Sequence, residues 1–322
     1  MPAKTKNPDI PIESSSSDRN RFGHTSTAKL LGLEWLTLGL LGAVWILWLL
    51  LTWLIGHESW WPALVLLIPT VTLHSSLTHE ALHGHPTPYP WLNELLLTVN
   101  PGLFVPYGAF RDSHLVHHQT SQLTDPLTDT ESFYLAPGQW QQMGRAKRAL
   151  YRVNATLLGR LAVGPMLILV RFYHSEADRI AKNQGTSRRD WLTHLLGLLA
   201  LIYWLNTVCS FPFIGYLLIV AYPAYSLLML RTFAEHRESP TQAMRSVIIE
   251  SSWPLSVIFL NNNLHAVHHA QPQTPWYRLP SLYQARRETI LKENGDYFFK
   301  GYRSLFRRYA LCPVEALMKA AR

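Results

Sequence analysis

Residues 30–55 read LLGLEWLTLGLLGAVWILWLLLTWLI, an almost wholly apolar run whose only charged side chain is Glu34, near its start. At a rise of 1.5 Å per residue, a helix of this length reaches about 39 Å, which is enough to cross a bilayer with some tilt. Trp53, Trp60 and Trp61 lie towards or just beyond its end, where aromatic side chains gather at a membrane surface. The run therefore predicts a membrane-spanning helix.

Three further runs are long and apolar enough to be spans: residues 61–78, 191–208 and 213–233. The turns inside each pair of runs are short and carry no Lys or Arg, so each pair is predicted to form a hairpin. Residues 154–173 are also apolar, but Arg160 and Arg171 interrupt them, which favours a helix in the membrane surface with snorkelling arginines. The predicted fold is all-α, with a four-span transmembrane bundle.

The cations of the chain are segregated from these runs. The chain has 29 Lys and Arg and a formal net charge of +8, yet none lies between Leu30 and Phe110 or between Asp190 and Leu230. Such segregation is typical of a membrane protein and argues against nucleic-acid binding. The positive-inside rule places both termini and the middle segment in the cytoplasm. We expect an integral protein of a bacterial inner membrane.

The rest of the chain divides into a tail and a cap. Residues 1–29 are polar and are expected to be a disordered cytosolic tail. Residues 30–322 are expected to form a single domain, in which 79–190 and 234–322 build a cytosolic helical cap. The 2 Cys exclude a disulfide framework and a zinc ribbon, whereas the 15 His indicate that any metal is held by imidazole.

The histidines form three short motifs in the cap: His79-Glu80-Ala81-Leu82-His83, His114-Leu115-Val116-His117-His118 and His265-Ala266-Val267-His268-His269. A single His236 follows the fourth span. Helical residues four apart share a face, so the first motif can hold one ion, and each HxxHH motif can offer imidazoles to two neighbouring ions. A two-metal site is predicted from nine side chains: His79, His83, His114, His117, His118, His236, His265, His268 and His269.

Other side chains are candidates for supporting roles. His74 is about 140° from His79 around a helix and is expected to pack inside the bundle, while His85 could support a ligand. Carboxylates commonly orient metal-binding histidines. The candidates are Glu80, Asp112, Asp125, Asp129, Glu235 and Glu250, of which Asp112 and Glu235 adjoin or lie close to ligands. Asn261 either hydrogen-bonds a ligand or substrate, or forms the turn before the third motif.

The order and spacing of the motifs resemble the membrane fatty acid desaturase and hydroxylase superfamily, with its HxxxH, HxxHH and HxxHH signature on a four-span bundle. The string Arg231–Arg237 is similar to the extra-histidine segment of carotenoid ketolase-type members. The resemblance implies two irons. It assigns His79, His83, His114, His118 and His268 to one iron, and His117, His236, His265 and His269 to the other. Where desaturases can have an Asn near the second iron, this chain has Thr232.

The resemblance also implies the reaction, which is attack on an unactivated C–H bond with dioxygen as co-substrate. We expect desaturation of a fatty acid or acyl thioester. Two other reactions are possible on the same scaffold. One is oxidative decarboxylation of a free fatty acid to a terminal alkene, and the other is hydroxylation of an acyl chain, lipid or carotenoid. Zinc fits the same ligands and could replace iron in recombinant material.

The expected partners follow from the same chemistry. The sequence has no haem-binding His-Pro-Gly-Gly and no Cys-rich electron-transfer motif, so electrons are expected from a ferredoxin, a rubredoxin or a cytochrome with its reductase. The basic C-terminal stretch with Arg286, Arg287, Arg307 and Arg308 could bind such a donor or the head groups of membrane lipids. Metal transport is the alternative from another class, and it would need ionisable groups near the middle of the bilayer.

Overall fold

The computed structural model describes residues 32–184 and 187–314, so the tail predicted at residues 1–29 lies outside the described residues. The described chain is mostly helical. Its helices, in chain order, are α1 Trp35–Glu58, α2 Leu64–Leu82, α3 Pro90–Leu97, α4 Tyr107–Gln119, α5 Gln139–Gln142, α6 Arg145–Asn154, α7 Leu157–Ala181, α8 Ser187–Tyr203, α9 Phe213–Tyr216, α10 Tyr222–Thr232, α11 Leu255–Ile258, α12 His265–Ala270, α13 Leu279–Glu293 and α14 Gly301–Tyr309.

Five helical segments in the described residues are long and apolar enough to cross a membrane. Four of them, Trp35–Glu58, Trp61–Leu82, Ser187–Val208 and Phe213–Thr232, correspond to the spans predicted from sequence. Two of these contain a stretch of π-helix, at Trp204–Val208 and at Leu217–Ala221. The helical, span-rich architecture is therefore confirmed.

The fifth segment is α7, which the sequence assigned to the membrane surface because of its two arginines. Both arginines have hydrogen-bond partners within the protein. Arg160 is buried, with its Nε donating to the carbonyl of Asn154 at 3.2 Å and its guanidinium 4.6 Å from the centre of the Phe133 ring. Arg171 donates to the carbonyl of Ser132. Arg160 does not snorkel, because it is buried between the Asn154 carbonyl and the Phe133 ring, whereas Arg171 is exposed. The placement of α7 in the membrane surface stays a prediction.

Both ends of α7 contact the cap. At its start, Leu157 packs in one apolar cluster with Phe233, which follows α10. Towards its end, Arg179 forms an ion pair with Asp112 of α4 at 3.3 Å. The two ends of this 25-residue helix therefore contact different segments, one next to His236 and the other next to His114.

The spanning helices are joined by buried polar contacts as well as by apolar packing. The indole N–H of Trp48 in α1 donates to the hydroxyl of Tyr216 at 2.8 Å, and that hydroxyl donates to the carbonyl of Pro101 at 2.8 Å. The hydroxyl of Thr72 in α2 donates to the carbonyl of Ala224 in α10 at 3.0 Å. Buried hydrogen bonds of this kind fix the rotation of each helix against its neighbours.

Gly56, near the end of α1, lies directly against the backbone of Cys209, in the turn between α8 and α9. A Cβ atom at Gly56 would lie 1.6 Å from the carbonyl oxygen of Cys209, so Gly56→Ala requires the backbone to move. We expect the variant to be destabilised by about 1–3 kcal/mol or more, the usual result of overpacking. Thermal unfolding of the detergent-solubilised protein would measure this. Gly42→Ala, in the same helix with no atom within 4 Å of its added Cβ, is the matched control and should not be destabilised.

The cap departs from a purely helical fold at one place. Ile248–Ile249 (β1) and Phe298–Phe299 (β2) pair as a two-stranded parallel sheet. This pairing also positions the third histidine motif, because the amide of Ile249 donates to the carbonyl of Asn263 at 2.8 Å and the amide of Ala266 donates to the carbonyl of Val247 at 3.0 Å. The start of α12 is therefore fixed to β1.

Candidate metal centre

Four parts of the fold converge at the end of the bundle where the cap sits. His79 lies in the last turn of α2, which ends at Leu82 before Gly84, whose φ of 93° only glycine adopts readily. The second motif lies in the last two turns of α4, and α12 carries the third. His236 lies just beyond α10, in an isolated antiparallel bridge with Ser246.

The structure brings all nine predicted histidines together in two groups. The first consists of His79, His83, His114, His118 and His268, and the second of His117, His236, His265 and His269. Within each group one ring nitrogen of every member lies within 4.8 Å of those of the others. The division matches the one that the resemblance implied, so each group could hold one metal ion.

The ring nitrogens approach one another more closely than packing alone would favour. Nε2 of His83 lies 3.1 Å from Nε2 of His114, and Nε2 of His118 lies 3.1 Å from Nε2 of His268. In the second group, Nε2 of His236 lies 3.1 Å from Nε2 of both His117 and His265. This is a spacing that two ligands of one ion take when each bond is about 2.1 Å long.

Carboxylates on the loop after α4 fix the orientation of two of these rings. Nδ1 of His117 lies 2.7 Å from Oδ1 of buried Asp129, and Nδ1 of His114 lies 2.9 Å from Oε1 of Glu131. Because an ionised carboxylate can only accept, each of these Nδ1 atoms is the donor and each Nε2 presents a lone pair to its group. Asp129 was among the candidates from sequence, whereas Glu131, 17 residues after His114, was missed.

Asp129 is itself held in place by the backbone. Its Oδ2 accepts from the amide of Thr124 at 2.8 Å, and its Oδ1 accepts from the amide of Glu131 at 3.0 Å. Although burial acts against ionisation, the hydrogen bond with His117 and these amides hold the pKa of Asp129 below its usual value. The same hydrogen bond raises the pKa of His117 against the opposing effect of burial.

Two polar residues orient rings of the second group. Oδ1 of buried Asn262 lies 3.0 Å from Nδ1 of His265, and the hydroxyl of Ser246 lies 3.2 Å from Nδ1 of His236. Asn261 instead has a left-handed φ of 56° and donates to the carbonyl of Trp276 at 3.1 Å, so it forms the turn. Sequence reasoning weighed Asn261 and missed its neighbour, because the turn at this point shifts the helical register.

Burial keeps most of the imidazoles in the neutral form that binds metals. Desolvation lowers the pKa of His83 and of His236 to about 3, and that of His118 to about 2. For His265, His268 and His269, desolvation and the neighbouring rings hold the pKa well below its usual value. Neutral imidazole is the ligand form, so these side chains need not lose a proton before they bind an ion.

The two groups adjoin each other. The rings of His118 and His269, one from each group, stack with their centroids 4.2 Å apart and an interplanar angle of 17°. The rings of His114 and His117 lie 5.8 Å apart, and those of His265 and His268 lie 5.7 Å apart. Two ions held by these groups would therefore be close neighbours, as each HxxHH motif predicts.

Two carboxylates favoured from sequence have different partners. Asp112 pairs with Arg111 at 2.9 Å and with Arg179, so its predicted contact to a ligand is wrong. Glu235 lies 3.7 Å from Nδ1 of His265, too far for a hydrogen bond, and 2.8 Å from Nε of Arg231. Arginines therefore attract both carboxylates away from the adjoining histidines, Arg111 and Arg179 in the case of Asp112 and Arg231 in the case of Glu235.

A third cluster lies beside the first histidine motif. Glu34, Glu80 and His85 are all buried; Nδ1 of His85 lies 2.8 Å from Oε1 of Glu34, and Oε1 of Glu80 accepts from the amide of Trp276 at 2.7 Å. The hydrogen bond to Glu34 raises the pKa of His85 against the effect of burial. This network ties the start of α1 and the loop before α13 to the end of α2, which carries His79.

The remaining histidines in the described residues lie apart from the two groups. His74 is fully buried in α2, edge-on to Trp45 with ring centroids 5.4 Å apart. His57 and His194 each donate from Nε2 to a backbone carbonyl, that of Val208 at 2.8 Å and that of Leu103 at 2.9 Å. His174 is exposed. His74 therefore packs inside the bundle, as predicted.

The donor set fits a pair of redox-active ions. Nine imidazoles without a thiolate suit iron, and zinc and copper as well, and the carboxylate partners of His114 and His117 are typical of metal-binding histidines. The unpartnered, buried Nε2 of His269 points to a bond that an ion would supply.

Comparison with known proteins agrees with this geometry. No curated protein matches the chain. The family profile described as Fatty acid desaturase matches residues 58–301, which include all nine histidines and four of the five candidate spans. The protein is therefore a membrane-embedded oxidoreductase of the fatty acid desaturase type, and the chain belongs to the fatty acid desaturase family.

Proposed function

We propose that the protein catalyses oxygen-dependent, di-iron oxidation of an unactivated C–H bond in a fatty-acyl chain, and that the product is an alkene. The observation that carries the proposal is the convergence of nine imidazoles in two adjoining groups at one end of a bundle of apolar helices. His79, His83, His114, His118 and His268 would hold one iron, and His117, His236, His265 and His269 the other. When bound, the iron pair supplies the activation of dioxygen.

The chain's own residues fix and enclose the site. Asp129 and Glu131 hold the protons of His117 and His114 at Nδ1, which keeps both Nε2 atoms free for the metals. Asn262 does the same for His265. The Phe110 ring lies 5.5 Å from that of His114 and 6.5 Å from that of His79, so it covers the first group with an apolar surface suited to a methylene chain.

Desaturation needs an external reductant. Removal of two hydrogens from a –CH₂–CH₂– unit, with reduction of O₂ to two H₂O, consumes two electrons and two protons from outside. The described residues offer no cysteine pair that could store electrons, since Cys209 is buried and Cys312 is exposed and both are free. A ferredoxin, a rubredoxin or a cytochrome with its reductase would supply the electrons.

For the topology we propose four spans, with α7 in the membrane surface. The support is that Leu157, at the start of α7, packs with Val247 and Ile249 of the cap, and that Arg179, near its end, pairs with Asp112. With this arrangement the nine histidines and both termini lie on the cytoplasmic side of a bacterial inner membrane, in keeping with the segregation of Lys and Arg.

A product assay tests the function. Membranes that contain the iron-loaded protein and a reductant system would be given a series of free fatty acids, acyl thioesters and lipids under air, and the products identified by gas chromatography and mass spectrometry. We expect a product two mass units lighter with an internal double bond, and none without oxygen.

Two other results would replace desaturation. A hydroxylated chain would indicate hydroxylation, and a terminal alkene one carbon shorter would indicate oxidative decarboxylation. Oxygen-independent movement of metal into sealed vesicles, without any lipid product, would instead support transport.

A further inference from the structure

Two short basic helices of the cap meet at the start of α7. The amide of Leu158 donates to the carbonyl of Ala310 at 3.1 Å, and the amide of Val314 donates to the carbonyl of Ala155 at 2.9 Å. These bonds join the end of α14 to the junction between α6 and α7. We call the outer face of α6 and α14, together with the residues between them, the basic–apolar surface.

The charge of this surface has one sign. Residues 132–175 and 297–314 contain no Asp or Glu, although together they carry ten Lys and Arg. Arg145 and Lys147 of α6 and Arg303 and Arg307 of α14 are all exposed. Within residues 32–184 and 187–314, no carboxylate lies within 4.0 Å of any of these four cations.

The C-terminal arginines therefore divide into two kinds. Arg287 donates from Nε to Oε1 of Glu250 at 2.6 Å, and Arg286 lies 3.9 Å from Glu293. Both of these side chains belong to α13 and have carboxylate partners. Arg303 and Arg307 are four residues apart on one face of α14. Without a carboxylate partner in the described residues, both cations can bind a ligand.

Large apolar side chains are exposed among these cations. The exposed fraction is 48% for Val153, 41% for Leu158, 46% for Phe306 and 77% for Leu311. Leu158 also begins an exposed apolar stripe that continues along α7 through Met166 and Val170. Basic side chains interleaved with Phe and Leu, next to a helix apolar enough for a bilayer, are typical of a segment lying in the membrane interface.

We propose that the basic–apolar surface binds anionic phospholipid. Its arginines and lysine contact the phosphate and acidic head group, while Phe306, Leu311 and Val153 insert among the first carbons of the acyl chains. The uniformly positive charge of the surface complements a leaflet rich in acidic lipid. Each Lys or Arg near the membrane surface strengthens binding to such a leaflet by about 1 kcal/mol.

A redox protein is a poorer fit to this surface. The rings of His118 and His269, one from each metal group, line an open cavity of about 350 Å³ that is bounded by α12 and α13. Neither α6 nor α14 lines this cavity. An electron donor on the basic–apolar surface would therefore not face the opening that leads to both groups, and exposed Phe306 and Leu311 suit lipid better than the polar rim of a transient protein complex.

Native mass spectrometry of the full chain in detergent, titrated with palmitoyl-oleoyl phosphatidylglycerol or phosphatidylcholine, tests the proposal. We expect R303Q/R307Q to bind phosphatidylglycerol roughly 30-fold more weakly than the unmodified chain, which is about 2 kcal/mol for two charges. Binding of phosphatidylcholine should not change. R145Q/K147Q, on the other helix, should show the same selective loss and serves if the first variant does not fold.

The matched control is R286Q/K292Q, which removes the same net charge from exposed positions of α13. Its phosphatidylglycerol binding should equal that of the unmodified chain. The proposal is overturned by an equal loss in this control, by an equal loss for both lipids, or by unchanged binding in the two variants of the surface. It is also overturned if R303Q/R307Q loses affinity for an acidic ferredoxin and keeps its affinity for phosphatidylglycerol.

Discussion

His268→Ala should abolish turnover and lower the iron content from two ions per chain to about one. His268 is buried and belongs to the five-histidine group, with its Nε2 3.1 Å from that of His118. Loss of a residue that only orients a ligand costs roughly 10- to 100-fold in metal affinity or activity, and loss of a ligand should exceed that range. Metal analysis of the purified variant and product formation in membranes measure the two effects.

His117→Ala makes the same test on the four-histidine group. It removes the ring that connects Asp129 to His236, and it too should abolish turnover and lower the iron content. His174→Ala is the control, since this histidine is exposed on α7 and belongs to neither group. Full activity with two bound irons in either ligand variant would remove that histidine from the proposed set.

Asp129→Ala should lower iron affinity and turnover by roughly 10- to 100-fold without removing any ligand. The buried carboxylate accepts from Nδ1 of His117 at 2.7 Å, and without it the ring loses the partner that fixes its rotation and its tautomer. Asp129→Asn should have a smaller effect, because its amide oxygen can still accept one hydrogen bond. Chelator competition measures the affinity independently of activity.

Asp125→Ala is the matched control for this position. Asp125 is an exposed carboxylate four residues earlier in the same loop, where it accepts from the amides of Leu127 and Thr128. Its removal should leave metal affinity unchanged. If both aspartate variants lose iron to the same extent, the loop as a whole is needed, and the specific bond between Asp129 and His117 does not carry the effect.

The sequence by itself determined the parts of the molecule that depend on local geometry. Length and hydropathy identified the apolar helices, because a helix that crosses a bilayer must be apolar over about 20 residues. The spacing of His79 and His83, and of each HxxHH motif, determined which rings share a face, because neighbours three and four residues apart are fixed by the helix itself.

Only the tertiary structure decided the contacts between distant segments. Glu131 hydrogen-bonds His114, and Asn262 hydrogen-bonds His265. Arg171 donates to a carbonyl of the cap, and Asp112 forms an ion pair with Arg179. The tertiary structure also separated the paired arginines of α13 from the unpaired ones of α14. A side chain's partner across a loop depends on the path of the backbone, and the histidine spacing does not encode that path. The physical reason is that hydrogen bonds and ion pairs act over about 3–4 Å, whereas helical periodicity constrains only neighbours along one helix.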